Sequence, residues 1–305
     1  MGRMGAAERF RHWVDSGRVD LPLPGSGDTG KRWAGLAQLG SADLAAARLA
    51  EGHADAAAIL AELHAPPPAP GELWGVWAAV PKSLTAAEVD GAWRVSGERP
   101  WCSGAHTLTH ALVTAETPGG SALFRVRVAD ATPVEGTWPA TGMADSDSGA
   151  VRFAETPAEP VGEPGAYTSR PGFWHGGIGV AAVWFGAACA VAQPLYDKRD
   201  PDPHALAHLG AVEELLGTGE ALFCDAARVV DADPAADAER LALRVRAAVE
   251  RIATGVLDHV GRALGAGPLC ADEAHGRRVA DLTVYLRQSH AERDLARLGQ
   301  LAVRS

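Results

Sequence analysis

The stretch "GERPWCSGA" (residues 97–105) puts a large aromatic and a small hydroxyl two positions apart, just ahead of the strand-like "THALVTA" (109–115). Residues two apart on a strand share one face. Trp101 and Ser103 are therefore expected to point the same way, with Cys102 turned opposite. A flat apolar ring beside a hydroxyl suits a planar heteroaromatic ligand. It equally suits a core edge with a capping serine, so the rest of the chain has to decide.

Around this stretch, from 73 to 170, the texture is that of short strands. "LWGVWAAV", "GAWRVSG", "HALVTA", "SALFRVRV" and "GAVRFAETPAEPV" are separated by Gly, Pro and Asp. Such spacing predicts a small β-barrel or sandwich. Upstream, residues 30–63 carry helically spaced Leu36, Leu39, Leu44, Leu49, Ile59, Leu60 and Leu63 and predict two helices, with Ser41 as an N-cap. "HAPPPAPGE" (64–72) is a linker, because proline cannot continue a helix. Downstream, helices are expected over 176–197, 203–231, 235–265 and 271–303, broken at "KRDPDP" and "DADPAAD". These four make a bundle. The expected division is a short N-terminal helical domain (1–72), a central β domain (73–170) and a C-terminal helical bundle (171–305), an α+β fold.

Composition removes several classes. The chain has 305 residues, enough for a sizeable core, and a formal net charge of −10. It shows no basic stripe, which argues against nucleic-acid binding. The four cysteines (Cys102, Cys189, Cys224 and Cys270) lie far apart with no CxxC spacing, so neither a zinc site nor a disulfide framework is expected. The first residues lack the apolar core of a signal peptide. The longest apolar run, "GGIGVAAVWFGAACAVA" (176–192), reads as a buried helix rather than a membrane span. A reduced, cytoplasmic protein is the expectation, with no membrane partner.

The order of helices, β domain and bundle is the layout of the acyl-CoA dehydrogenase family of flavoproteins, and three segments resemble that family's signatures. They are "GAWRVSGERPWCSGAHTLTHALVTA" (91–115), "TGMADSDSGAVRFAETPAEPV" (141–161) and "GRALGAGPLCADEAHGRRVADLTVY" (261–285). The resemblance implies a bound FAD. Trp101 would pack on the flavin ring and Ser103 would reach its N5/O4 edge. Trp77 and Ala79 match a strand end that meets the flavin's pyrimidine edge, although the family's Thr and Glu are missing there. Ser148 matches a Thr just before a strand, and Ala144 replaces an Arg. Gly265 keeps the first glycine of a loop that lets a neighbouring subunit's cofactor approach, and Ala266 replaces the second.

The dehydrogenases use a Glu downstream of that loop as the base that removes an acyl α-proton. Ungapped alignment places Ser289 there, followed by His290 and Glu292. A neutral serine does not abstract so weakly acidic a proton unaided. Two enzymatic readings stay open. One is an FAD-dependent oxidoreductase that passes hydride from an acyl thioester, on CoA or on a carrier, to flavin N5, with Glu292 or another Glu as base. The other is a flavin-dependent monooxygenase using Ser103 and His290. A third reading is a non-catalytic subunit of the same fold. In each case the resemblance implies a homodimer or homotetramer. His290 and Glu292 also read as a solvated helix face, and Trp77 also reads as core. His53, in "EGHADA", reads as a packing histidine, His175 as packing at a junction, and "PGSGDTGKR" (24–32) as a loop.

Overall fold

The computed structural model describes residues 4–79 and 82–303. Val80, at the end of the strand-like 73–80 stretch, lies outside them. The chain forms two compact units. The first comprises the chain up to Leu21, Arg48–Ala140 and Ala144–Phe173; the second comprises Pro22–Ala47, Thr141–Met143 and Trp174 onward.

The first unit is built on a barrel of seven strands: β1 (Trp74–Trp77), β2 (Leu84–Val89), β3 (Ala92–Cys102), β4 (His110–Thr117), β5 (Gly120–Arg127), β6 (Thr132–Val134) and β7 (Gly149–Pro160). The order is β1-β4-β2-β3-β7-β5, and an additional β4–β5 pairing closes the ring, while β6 adds to β7. The ring β4-β2-β3-β7-β5 is closed, and β1 and β6 hang on it as short edge strands of four and three residues. The pairings are antiparallel except where β4 runs parallel to β1 and to β2. Sequence texture points to five of these strands. It misses β2, whose "LTAAEV" is weak in β-formers, and the three-residue β6.

Helix α1 (Ala6–Asp15) belongs to this unit and buries Phe10 and Trp13. Ahead of α3, α2 spans Thr29–Ala42. Helix α3 (Leu44–Glu62) enters the unit at Arg48. Its Ala56, Ile59 and Leu60 recur at helical spacing and pack with Trp74, Leu112, Leu123 and Val161. Each large aliphatic side chain so buried is worth about 1.5–3 kcal/mol. The cap of α3 is Asp43 rather than Ser41: its carboxylate accepts from the Ala46 amide at 3.0 Å. Ser41 lies inside α2, and the two helices abut with a single residue between them. The "PGSGDTGKR" stretch is not all loop, because α2 begins at Thr29. Helix α4 (Ala166–Ser169) completes the unit.

The second unit is helical, with α2, α5 (Gly172–Tyr196, from Trp174 on), α6 (Pro203–Ala232), α7 (Glu239–Leu264), α8 (Gly267–Ala271), α9 (Glu273–Tyr285) and α10 (Glu292–Val303). Long and apolar enough to cross a bilayer by length, α5 is instead 72% buried over its most apolar window. It meets α2 at two glycines. A Cβ on Gly186 would stand 1.8 Å from the Ala37 carbonyl oxygen, and one on Gly40 would stand 2.3 Å from that of Val183. The expected single helix over 271–303 is broken. A 3₁₀ turn at Leu286–Gln288 and Ala291, with φ +44°, separate α9 from α10. Asp272 restarts the chain as α9 by accepting from the Ala274 and His275 amides.

Candidate functional site

The chemically distinctive part of the first unit lies where β3 ends. Ser103 follows the last residue of β3 and is held from two sides. Its carbonyl accepts the indole N–H of Trp77 at 3.0 Å, and its hydroxyl accepts from the Ser148 hydroxyl at 3.0 Å. Ser148 in turn lies 2.8 Å, oxygen to oxygen, from Ser146, which is 1% exposed. Backbone bonds sew the two segments together: Gly104 N–H donates to Ser146 O at 3.1 Å, and Ala105 N–H to Asp147 O at 2.8 Å. A crevice beside this cluster is lined by Arg48, Gly52, Val76, Trp77, Ser103 and Leu108 among others.

Asp147 fastens the turn that follows. One carboxylate oxygen accepts from the His106 amide and from the Thr107 hydroxyl, both at 2.8 Å, and the other lies 2.7 Å from His106 Nδ1. That hydrogen bond raises the His106 pKa, helped by the charges of Asp147 and Glu135 and opposed by partial burial. Sequence reasoning passes over Asp147 and His106. Their partnership depends on the ladder between 104–105 and 146–147, which no local pattern announces.

The backbone at Trp101 is not that of a regular strand. The β3–β7 register slips between Arg99 and Cys102, Trp101 adopts φ +60°, and the strand stops at Cys102. Exposure nonetheless alternates over these three residues, with Trp101 exposed, Cys102 buried and Ser103 half-buried. The indole ends up 61% exposed while Cys102 is fully buried. A left-handed backbone at a bulky aromatic costs about 1–3 kcal/mol and is retained where surrounding structure imposes it. Burial pushes the Cys102 thiol up to about 12, so it is not a nucleophile. Arg99, three residues before Cys102, is fully buried. Its guanidinium donates to the carbonyl oxygens of Ala79 and Thr114, and burial lowers its pKa.

Trp77, Ser103 and Ser148 thus come together in one cluster, with Trp101 two residues from Ser103. Ala79 is exposed, and its carbonyl faces Arg99. Trp77 is 2% exposed and also packs edge-on to Phe153. His53 is a packing residue. Its Nδ1 accepts the Trp74 amide at 3.1 Å, and burial lowers its pKa against the pull of Asp20. His175 is buried in the second unit.

Gly265, Ser289, His290 and Glu292 belong to the second unit. Gly265 ends α7 with φ +65°, in open space. Ser289 donates to Glu250 at 2.6 Å and accepts from the Ala291 amide at 3.1 Å. Glu250 also pairs with Arg287 at 3.0 Å. His290 is exposed and lies 3.3 Å from Asp294, and Glu292 is exposed in the first turn of α10. Sequence reasoning does not reach Glu250, because its approach to Ser289 depends on how α7 meets the segment after α9.

No family model matches the chain, and no curated protein matches it. Solved structures do. TdsC from a Paenibacillus species, in complex with FMN and indole, superposes with a TM-score of 0.76 at 17% identity, covering 96% of this chain and 94% of that one; it is described as a dibenzothiophene monooxygenase. The methanesulfinate monooxygenase MsuC from Pseudomonas fluorescens gives 0.75 at 16% identity, covering 98% and 95%. The electron transferring flavoprotein of Acidaminococcus fermentans gives 0.83 at 12% identity, covering 97% and 89%. The chain shares the acyl-CoA dehydrogenase-like fold with these proteins, nearly end to end.

Proposed function

We propose that this protein is a flavin-dependent oxidoreductase, and that its chemistry is oxygen transfer from reduced flavin rather than dehydrogenation of an acyl thioester. One observation carries the flavin reading. An exposed indole, held in a strained backbone, stands two residues from a serine whose hydroxyl proton has no acceptor among the described residues. A planar apolar face with a hydroxyl donor beside it fits a flavin ring and its N5/O4 edge. A reduced flavin supplies the two electrons that let molecular oxygen give one atom to a substrate and the other to water. In that setting the residues orient the ring (Trp101), donate a hydrogen bond (Ser103) and hold the donor in place (Trp77).

Two observations favour oxygen transfer. TdsC and MsuC, both described as monooxygenases, share the fold over nearly the whole chain. Ungapped alignment puts Ser289 where the dehydrogenase base would stand, and the carboxylate that Ser289 meets, Glu250, already pairs with Arg287 and accepts from Ser289. Drawing a proton onto Glu250 would remove the charge that pairs with Arg287. FMN is the first cofactor to test, since TdsC was solved with it, and FAD is the second.

The test is a titration of the purified protein with FMN and with FAD, read by visible absorption and flavin fluorescence. Saturable binding of one of them is expected. A spectrum unchanged at millimolar flavin would sink the reading and favour a non-catalytic subunit. With flavin bound and reduced, fast oxygen consumption supports oxygen transfer. Bleaching of the oxidised flavin by an acyl-CoA, with slow reoxidation in air, would overturn it in favour of dehydrogenation.

A further inference from the structure

The three hydroxyls behind Ser103 have a definite direction. The heavy-atom angles of the Ser148–Ser103 contact suit donation by Ser148. A hydroxyl has one proton, so Ser148, having spent its own on Ser103, must accept from Ser146 at 2.8 Å. The chain therefore runs Ser146 to Ser148 to Ser103 and ends on the proton of Ser103, which points away from Ser148. The anchor is firm: Ser146 is buried, and the Ser146 and Asp147 carbonyls accept from the Gly104 and Ala105 amides. The Trp77 indole fixes the carbonyl of Ser103 and so limits the swing of the whole residue.

We infer that Ser146 and Ser148 are positioning residues which commit the Ser103 hydroxyl to act as an outward donor toward the bound cofactor, and that neither need touch that cofactor. The inference rests on the flavin reading for the identity of the acceptor, though not for the direction of the chain. A lone serine hydroxyl rotates among staggered wells and spends much of its time presenting a lone pair. One that already accepts a hydrogen bond presents its proton, and linked hydroxyls polarise one another in the same sense. This assigns Ser148 a different role from direct contact with flavin.

Two experiments separate the failure of this inference from the failure of the flavin reading. The first needs no cofactor: neutron diffraction from deuterated crystals of the wild-type protein locates the hydroxyl deuterons. The Ser148 deuteron is expected on the line to Ser103, and the Ser103 deuteron away from Ser148. A Ser103 deuteron aimed at Ser148 overturns the inference whatever the protein binds. The second compares Ser103→Ala, Ser148→Ala and Ser148→Thr by flavin affinity and by the position of the bound flavin's visible bands. Ser148→Ala is expected to weaken binding about 5- to 10-fold, the scale of one neutral hydrogen bond, and to move the bands toward those of Ser103→Ala. Ser148→Thr, which keeps the hydroxyl, is expected to restore both. If Ser148→Ala binds with wild-type affinity and bands while Ser103→Ala does not, the flavin reading stands and the positioning role falls.

Discussion

The indole N–H of Trp77 donates to the carbonyl oxygen of Ser103 at 3.0 Å, across 26 residues of chain. This bond ties the end of β1 to the residue just after β3, and so the barrel wall to the serine that accepts from Ser148. Trp77→Phe keeps an aromatic ring against Phe153 but removes the donor. It is expected to cost about 1 kcal/mol of stability, rising toward 2 if the carbonyl is left without a partner. Urea unfolding monitored by far-ultraviolet circular dichroism checks this. A variant as stable as the wild type would mean that water replaces the indole at that carbonyl.

The thiols give a direct reading of burial. Cys102 is fully buried, with its pKa at about 12, and burial likewise lifts Cys189 to about 11. Cys224 and Cys270 are exposed. The native protein at pH 8 is expected to show two fast thiols with an aromatic disulfide reagent and four after denaturation. Fast reaction at Cys102, identified by peptide mapping, would contradict the burial of the β3 end.

Much of this architecture is legible in the chain. Gly and Pro punctuation between short apolar runs marks the β region. Helical spacing of Leu36, Leu39, Ile59 and Leu60 marks α2 and α3, and the Pro–Asp breaks mark α5, α6 and α7. Sequence reasoning fails where one residue's backbone decides the outcome. The register slip before Cys102 and the positive φ at Trp101 have no local sequence signal. The last helix reads as unbroken because no proline or glycine stands between residues 286 and 292 to warn of the break. In the candidate site, the serines of "WCSGA" and "SDS" are visible as hydroxyls. Their linkage, and the clamp of Asp147 on His106 and Thr107, need the long-range ladder.

His106 and His53 should titrate in opposite directions. The hydrogen bond to Asp147 raises the His106 pKa above its ordinary 6.5. Its contribution to stability is present in full below 6.5 and fades as pH rises through the folded-state value. Burial lowers the His53 pKa, so its contribution holds above 6.5 and is lost as pH falls toward the folded-state value. Proton NMR of the imidazole resonances in D2O is expected to place His106 above 6.5 and His53 below it. In Asp147→Asn the His106 midpoint should fall while that of His53 stays where it was. If His106 did not move, the charge and hydrogen bond of Asp147 would not be what holds it up.

The crossing of α2 and α5 depends on having no side chain at its closest point. A Cβ on Gly186 would meet the Ala37 carbonyl oxygen at 1.8 Å and its carbonyl carbon at 2.5 Å; these are backbone atoms and cannot swing aside. Gly186→Ala must therefore push the helices apart. The gain in helix propensity, about 1 kcal/mol for glycine to alanine, works the other way. Overpacking of a close interior contact typically costs about 1–3 kcal/mol, and a backbone collision falls at the upper end. The net expectation is a loss of about 1–2 kcal/mol in urea unfolding. Gly217→Ala, on α6, places its new Cβ with nothing within 4 Å and should instead be neutral or slightly stabilising. Equal effects at the two sites would remove the close crossing as the reason for glycine at 186.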